Sequence, residues 1–254
     1  MKRLNVLVTN WQATGGVPWV AAIAKPLDAA VWIKAYDGGR WLDLGAPFAQ
    51  IAHELQSAGV DVGAWGFHYG YNQEVDRLLE CFTYRHGLEG YEGPRAGLLV
   101  DAESHFEGHP GEARAHNQVD QIIRAGLDVP VYYTSFAFPE VHPSFPYAEF
   151  NRLSGGHVPQ VYFNHHGWSD PVASILQSAG QHHSRGLKLA GAMLPVYDAG
   201  SEQGWRTTRE ELEEALLALR MWNVASCWTW SWEYHSWADW ALFWRHLALL
   251  RSLK

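Results

Sequence analysis

Eight short apolar runs alternate with helix-like stretches along this chain of 254 residues, and the alternation limits the possible folds more than any other feature of the sequence. Strands buried on both faces of a sheet read as nearly continuous apolar runs, and strands that alternate with helices pair in parallel. Eight strand–helix units in about 250 residues predict an α/β fold, a single (β/α)8 TIM-type barrel over residues 1–254, with a doubly wound open sheet as the alternative. The apolar runs cover residues 4–9, 30–36, 62–69, 96–102, 129–134, 158–163, 189–197 and 224–232.

The stretches that follow these runs have the periodicity of amphipathic helices. The clearest is TTREELEEALLALRMW, in which Thr208 and Glu211 have the spacing of a capping box and leucines recur near one face. No change of composition, low-complexity linker or charged block marks a domain boundary, so we expect one domain. The predicted helices cover residues 17–27, 47–59, 71–86, 111–126, 146–154, 171–185, 208–222 and 237–252.

Composition excludes several classes of function. With 27 acidic and 19 basic residues, the net charge of −8 leaves no electrostatic footprint for nucleic acid and disfavours binding to an anionic membrane. No apolar segment reaches the length of about 18 residues that suggests a membrane span. Cys81 and Cys227 belong to no metal-binding or redox motif, so we expect free buried thiols, with one disulfide left open. We expect no cofactor, and the sequence does not define the oligomeric state.

The N-terminal segment MKRLNVLVTNWQ does not resemble a secretory signal peptide. Its apolar run is short and interrupted by Asn5, and no small-residue cleavage site follows. We therefore expect a cytoplasmic protein, or one released without a signal peptide in the manner of phage lysins.

Polar and aromatic residues gather at the carboxyl ends of the predicted strands, where barrels of this kind carry their active sites. The opposite ends carry glycine, proline and few ionisable groups. The chain also contains 14 tryptophans, whose flat faces match the faces of sugar rings, so we expect some of them to line a sugar-binding cleft. The candidates at the strand ends are Trp11, Asp37, His68, Tyr69, Asp101, Glu103, Tyr133, Tyr162, Asn164, Asp198, Trp230 and Glu233.

The fourth apolar run, in AGLLVDAES, ends in two carboxylates. Because side chains alternate across a strand, Leu99, Asp101 and Glu103 share one face, and we expect this face to point into the barrel. The two acidic residues have Cα atoms about 6.5–7 Å apart, which is compatible with either a retaining or an inverting glycosidase. Crowding of the carboxylates would raise the pKa of one of them and keep it protonated near neutral pH, as a general acid for glycoside cleavage requires.

Side-chain size and alternation predict the orientation of other strand residues. In CWTWSWE the small residues share a face with Glu233, so we expect Glu233 to point into the barrel and the alternating tryptophans to face the helices. The same argument on the third strand turns His68 inward. Lys34 lies on the opposite face from Asp37, so we expect its side chain outside the interior.

Five segments resemble, in chain order, glycoside hydrolase family 25, the Chalaropsis-type lysozymes, or a divergent glycoside-hydrolase-like relative. They are NWQ, VWIKAYDGG, ELQSAGVDVGAWGFHYG, LLVDAES and VPVYYTS, and they cover roughly residues 4–135. The resemblance implies a barrel that hydrolyses the β-1,4 link between N-acetylmuramic acid and N-acetylglucosamine. It also implies that Glu103 is the general acid and that Asp101 orients or stabilises the substrate by assisting its acetamido group.

Two features depart from the family pattern. Leu7 stands where the family usually has an aspartate on the first strand, and the C-terminal half carries the tryptophan-rich CWTWSWEYHSW instead of the familiar Val-Asp-Leu-Asn ending. Asp37, Asp198 and Glu233 are the candidates to supply the carboxylate that position 7 lacks.

We therefore predict a glycoside hydrolase that acts on a β-linked polysaccharide, with peptidoglycan as the substrate that the resemblance implies. The alternatives are a non-catalytic glycan-binding barrel of the same ancestry and a barrel enzyme of another class that forms a Schiff base at Lys34. The predicted catalytic residues are Glu103, Asp101, Glu233 and Asp198. The predicted substrate-binding residues are Trp11, Asp37, His68, Tyr69, Tyr133, Tyr162, Asn164 and Trp230.

Overall fold

The chain forms a closed ring of eight parallel strands surrounded by helices, as the alternating pattern predicts. A computed structural model of the protein describes residues 3–83, 88–163, 170–196, 207–222, 226–235 and 237–251. The strands are β1 (Arg3–Val8), β2 (Ala30–Asp37), β3 (Arg40–Trp41), β4 (Val62–His68), β5 (Gly97–Ala102), β6 (Val131–Phe136), β7 (Gly156–Gln160), β8 (Gly191–Pro195) and β9 (Ser226–Trp230). The helices are α1 (Val17–Leu27), α2 (Phe48–Ser57), α3 (Asn72–Thr83), α4 (Gly108–Arg124), α5 (Tyr147–Phe150), α6 (Pro171–Ser184), α7 (Arg209–Met221) and α8 (Trp237–Arg251). Short 3-10 helices follow β1, β5 and β9, at Trp11–Thr14, Ser104–Phe106 and Trp232–Tyr234.

Parallel pairing runs around the ring in the order β1, β2, β4, β5, β6, β7, β8, β9, and β9 pairs with β1 to close it. This closure excludes the doubly wound open sheet. The two-residue strand β3 pairs antiparallel with the end of β2 and is not part of the ring. Because all strands of the ring point the same way, their carboxyl ends meet at one rim, which we call the mouth.

The helices begin and end close to the predicted positions. Helix α7 starts at the predicted capping box, where Thr208 Oγ1 accepts the backbone N–H of Glu211 at 3.1 Å and the Glu211 carboxylate accepts that of Thr208 at 2.7 Å. Helix α5 is a single turn and is shorter than predicted. Cys81 and Cys227 are free and buried, as expected. None of the helices in the described part of the chain combines the length and apolar character that a membrane span needs.

Two apolar layers pack on the two faces of the ring. The outer layer joins strand and helix residues and lies between them. Strand positions dominate the inner layer and no helix of the described chain contributes to it, so it is the interior of the barrel. Its buried members are Leu7, Ala30, Trp32, Trp65, Ala96, Leu99, Val158, Met193 and Trp228.

The predicted orientation of β9 is wrong. Trp228 lies in the inner layer, whereas Cys227 packs in the outer layer against the helices. The room for the indole rings comes from glycines on neighbouring strands. A Cβ atom added to Gly63 would lie 2.2 Å from the ring of Trp32, and one added to Gly191 would lie 2.7 Å from the ring of Trp228. The interior of a small barrel must be filled by side chains, and here indoles fill it opposite glycines.

The predicted orientation of β4 is also wrong, because its tryptophan rather than its small residues faces the interior. Trp65 lies in the inner layer and Ala64 in the outer layer. His68 shares the outer face and is fully buried there. Its ring contacts Tyr36 and Gln118 rather than the interior of the barrel.

Candidate active site

The two carboxylates that end β5 meet a glutamine from β7 at the mouth. Asp101 shares the inward face of β5 with Leu99, as alternation predicts, and is buried. The Gln160 side-chain amide donates to Asp101 Oδ1 at 3.1 Å and to Glu103 Oε1 at 3.0 Å. One amide group therefore bridges the pair and keeps these two oxygen atoms within about 6 Å of each other. Sequence reasoning missed Gln160, although a glutamine that ends an apolar strand is a signal that could have found it.

Burial changes the protonation of Asp101. The loss of hydration raises the pKa of the Asp101 carboxyl well above its usual value, and the neighbouring charges of Glu103 and Asp37 add to the increase. The Lys34 ammonium group and the hydrogen bond from Gln160 act in the opposite direction. Burial dominates, so Asp101 retains a proton at a higher pH than an exposed aspartate does. The expected crowding by Glu103 contributes to this increase, but burial is its main cause and the affected carboxyl is that of Asp101.

An ion pair between two residues of β2, Lys34 and Asp37, lies beside the carboxylates of Asp101 and Glu103. Lys34 Nζ lies 2.6 Å from Asp37 Oδ2, and the Tyr69 hydroxyl donates to Asp37 Oδ1 at 2.8 Å. The prediction that Lys34 lies outside the interior is wrong. Lys34 shares the inward face of β2 with Trp32 and lies in register with Trp65. The register against β4 then shifts between Lys34 and Tyr36, and this bulge turns Asp37 to the same inward face.

Aromatic rings form the floor beneath these charges. Trp65 and Trp230 pack edge to face with ring centroids 5.2 Å apart, and Lys34 Nζ lies 5.2 Å from the Trp65 ring centroid. Trp65 Nε1 donates to the backbone carbonyls of Val8 and Trp32, which fixes the indole across the barrel. The predicted candidate Trp230 therefore lies in the floor of the candidate site.

Tyr162 also packs against the inner layer. Its hydroxyl lies 3.1 Å from Met193 Sδ, so it lies on the β7–β8 side of the interior. Tyr162 follows Gln160 by two residues, and both belong to the segment that borders the mouth. Its role as a substrate-binding residue stays a prediction.

The buried carboxylate of Glu74 holds the loop that carries Tyr69 in the site. Glu74 accepts the backbone N–H groups of Tyr69, Gly70 and Tyr71 at 2.7–3.0 Å, and its side chain is fully buried. The side-chain amide of Gln118 also donates to Glu74, at 2.8 Å. These bonds fix the loop that carries Tyr69. Sequence reasoning missed Glu74, whose signal is an acidic residue in the first turn of a helix.

Three predicted site residues lie away from this group. His68 lies between β4 and the helices, where Tyr36 Oη contacts its Nε2 at 2.7 Å and burial lowers its pKa. Tyr133 stacks on His157 in the outer layer with ring centroids 4.3 Å apart, and Trp11 is buried in that layer too. All three side chains pack between strands and helices rather than in the mouth.

Glu233 joins the ends of β9 and β1. The chain turns into the last 3-10 helix after Ser231, so strand alternation no longer sets the direction of Glu233. Its Oε1 accepts the backbone N–H of Thr9 at 2.7 Å and that of Asn10, and its Oε2 accepts the Ser231 hydroxyl at 2.5 Å. These bonds hold Glu233 between the ends of β9 and β1, and its role as a catalytic residue stays a prediction. The candidates Asn164 and Asp198 lie outside the described residues.

Over the described ranges of the chain, no three histidine, cysteine, aspartate or glutamate side chains cluster as metal ligands would. The donors that do converge are Lys34, Tyr69 and Gln160, and the acceptors are Asp37, Asp101 and Glu103. This set of charged and hydrogen-bonding groups suits acid–base chemistry on a polar substrate.

No protein-family model matches the sequence. No curated protein is detectably similar to it in sequence.

Solved structures share the fold at low sequence identity. The catalytic domain of a hyperthermophilic chitinase from Pyrococcus furiosus superposes with a TM-score of 0.69 at 12% identity, covering 98% of this chain and 96% of that chain. A family 18 chitinase variant from Cycas revoluta, solved in complex with (GlcNAc)4, gives 0.64 at 8% identity, covering 96% and 98%. A sugar phosphate isomerase/epimerase from Parabacteroides distasonis gives 0.54 at 12% identity, covering 99% and 98%. These likenesses establish the barrel fold over nearly the whole chain, and they do not single out family 25.

Proposed function

We propose that this protein is a glycoside hydrolase that acts on a β-linked polysaccharide, with Glu103 as the general acid. The observation that carries the proposal is the Asp101–Glu103 pair, bridged by Gln160 at the barrel mouth above an aromatic floor. Glycoside cleavage needs a proton donor for the leaving oxygen and a group that stabilises the positive charge of the sugar ring. Glu103 is the more exposed member of the pair, so it is the one that can reach a glycosidic oxygen.

The arrangement favours assistance by the substrate itself. Asp101 lies at the end of β5 and Glu103 directly follows the strand, and one Gln160 amide binds both carboxylates, so they approach a bound sugar from the same side. An acid and a protein nucleophile would instead flank the scissile bond. A protonated Asp101 can bind and orient the acetamido group of an N-acetylated sugar, whose carbonyl oxygen attacks the anomeric carbon while the glycosidic bond breaks and its oxygen takes the proton of Glu103. Water then attacks the same carbon and opens the oxazolinium ring, and its proton returns to Glu103. This mechanism retains the anomeric configuration, which proton NMR of the first product detects.

The substrate class follows from the same chemistry. Substrate assistance requires a 2-acetamido sugar, so the candidates are polymers of N-acetylglucosamine and the glycan strands of peptidoglycan. The chitinases of similar fold and the (GlcNAc)4 bound to one of them support the first candidate. The resemblance to family 25 supports the second. A panel of chitin oligosaccharides, deacetylated chitosan oligosaccharides and purified peptidoglycan separates these possibilities, and we expect no turnover of the deacetylated sugars.

The direct test is substitution of the acid. We expect Glu103→Gln to lower kcat on a responsive glycan by about 10²–10⁴-fold, because the amide cannot donate the proton to the leaving oxygen. Glu112→Gln is the matched control, since Glu112 lies exposed on α4 and the same change there should leave kcat unaltered. Full hydrolysis by Glu103→Gln would remove Glu103 from the mechanism.

A glycan-binding barrel without catalysis is the second candidate, and Leu7 favours it. Leu7 is fully buried in the inner layer, so β1 contributes no carboxylate at that position. Isothermal titration with (GlcNAc)4 or peptidoglycan fragments, combined with product analysis, decides between the two. Binding without any product across the panel would replace hydrolysis by recognition as the function.

The Schiff-base alternative has a separate test. Lys34 does lie at the mouth, but its Nζ is engaged with Asp37 in an ion pair. A Schiff base needs this amine free to attack a carbonyl group. Borohydride treatment in the presence of aldehyde sugars, followed by mass spectrometry, would reveal a covalent adduct on Lys34, and we expect none.

A further inference from the structure

The bulge in β2 turns the Asp37 carboxylate to the inward face, where it meets the Lys34 ammonium group beside the carboxylates of Asp101 and Glu103. Before the bulge, Lys34 is in register with Trp65 and points inward, and after it Asp37 is in register with Phe67. A regular strand places side chains three residues apart on opposite faces. The extra residue cancels this alternation, and bulges next to active sites re-aim side chains in this way. The ion pair of Lys34 and Asp37 is therefore a product of the bulge.

We propose that Lys34 is a positioning residue of this site: its ammonium group holds the Asp37 carboxylate, and through it the Tyr69 hydroxyl, beside the Asp101–Glu103 pair. The inference deepens the proposed function and rests on it wherever hydrolysis is concerned. The arrangement of the charges themselves does not depend on which glycan binds.

The geometry leaves Asp37 little freedom. One of its oxygens accepts from Lys34 at 2.6 Å and the other from Tyr69 at 2.8 Å. Lys34 is held in turn above the Trp65 ring, and its side chain is only 19% exposed. Tyr69 is held through its backbone N–H by the buried carboxylate of Glu74. The carboxylate of Asp37 is thus fixed by donors from two strand ends.

The charge of Lys34 also acts on Asp101. Of the groups in the described chain that influence this carboxyl, Lys34 is the one cation, and it opposes the increase in pKa that burial and the neighbouring carboxylates cause. Its removal should therefore raise the affinity of Asp101 for its proton. The titratable and polar groups that act on Asp101 are Lys34 and Asp37 from β2, Glu103 after β5 and Gln160 from β7. The charge of Asp101 in turn contributes to the raised pKa values of Tyr36 and Tyr69.

The test is a titration that needs no substrate. Carboxyl ¹³C NMR of protein labelled at aspartate follows Asp101 through pH, and Asp101→Asn identifies its signal. In Lys34→Met, which keeps the length of the side chain and removes the charge, we expect the midpoint of Asp101 to rise by about one pH unit, a roughly tenfold higher proton affinity. In Lys34→Arg, which keeps the charge, we expect a midpoint within a few tenths of a unit of the unsubstituted protein. In Lys34→Met, an unchanged carboxyl ¹³C shift of Asp37 or an unchanged midpoint of Asp101 would overturn the inference.

Activity provides the second readout. On a responsive glycan, we expect Lys34→Met to move the pH profile of kcat/KM to higher pH, as it moves the midpoint of Asp101. We expect the profile of Lys34→Arg to match that of the unsubstituted protein. A titration shift without any change in the profile would contradict a positioning role in the reaction. If no glycan is hydrolysed, the proposed function fails while the titration still decides the role of Lys34. Urea unfolding checks that each variant is folded, and Lys34→Gln replaces Lys34→Met if the latter does not fold.

Discussion

At the scale of single residues, burial gives two acidic side chains of one strand different properties. Asp101 is 3% exposed and has a raised pKa, whereas Glu103 is only half-buried. The sequence predicts that both share the inward face, because the apolar Leu99 precedes them at the same alternation. It does not predict their bridge, because Gln160 approaches from a strand that lies 57 residues further along the chain.

The raised pKa of Asp101 has a cost in stability that depends on pH. A carboxyl whose pKa is higher in the folded than in the unfolded protein destabilises the folded state when it ionises. This cost is absent below the unfolded pKa and is complete once the pH has risen through the folded pKa. Asp101→Asn removes this effect and keeps the oxygen that Gln160 binds. We expect its free energy of unfolding to exceed that of the unsubstituted protein by about 1 kcal/mol near pH 8, and the gain to vanish below pH ~4. Urea unfolding at both values measures this, and a gain that does not vary with pH would contradict it.

At the scale of elements, the bulge in β2 and the loop after β4 determine what reaches the mouth. Alternation on an ideal strand places Lys34 and Asp37 on opposite faces, and one extra residue turns Asp37 to the inward face that Lys34 shares with Trp32. Bulges leave no clear signal in a single sequence, since pairing with a neighbouring strand creates them. The capping box of α7 was predictable because both of its partners lie within one turn of the helix.

Among the contacts between elements, we expect those of Glu74 with the loop after β4 to contribute most to stability and activity. Glu74→Gln replaces an acceptor of several N–H groups by an amide that itself carries donors, so we expect a loss of about 2–4 kcal/mol in the free energy of unfolding. Because the loop carries Tyr69, we also expect a lower kcat/KM. Thr208→Ala is the comparison: it should cost about 1 kcal/mol through the lost cap, and activity should be unchanged. If Glu74→Gln and Thr208→Ala had equal effects on kcat/KM, the loop that Glu74 holds would have no specific role in the site.

At the scale of the whole molecule, the sequence predicts the ring of strands but not how its interior is filled. Strand number, order and closure follow from the alternation of apolar runs and helices. The direction of the tryptophans on β9 does not, because the space for Trp228 is provided by Gly191 on the adjacent strand. A pattern within one strand cannot reveal a glycine that another strand contributes.

The glycine–indole packing predicts opposite outcomes for two similar changes. Gly63→Ala would place a methyl group 2.2 Å from the Trp32 ring, so we expect a loss of about 1–3 kcal/mol. Gly180 lies exposed within α6 with no atom within 4 Å of an added Cβ, so Gly180→Ala should gain up to about 1 kcal/mol. Thermal and urea unfolding compare the two. A Gly63→Ala protein as stable as the unsubstituted one would show that the interior has unused room.

The tryptophans of the aromatic floor make the intrinsic fluorescence of the protein sensitive to what occupies the mouth. Trp65 and Trp230 lie edge to face beneath the charged groups, and Trp32 and Trp228 lie deeper in the same interior with ring centroids 4.6 Å apart. Indoles this close exchange excitation energy, so a sugar ring or a changed charge above Trp230 alters the emission of the whole cluster. The intrinsic fluorescence of the barrel therefore registers occupancy of the mouth without any added dye, and Trp230→Phe identifies the ring through which the signal enters.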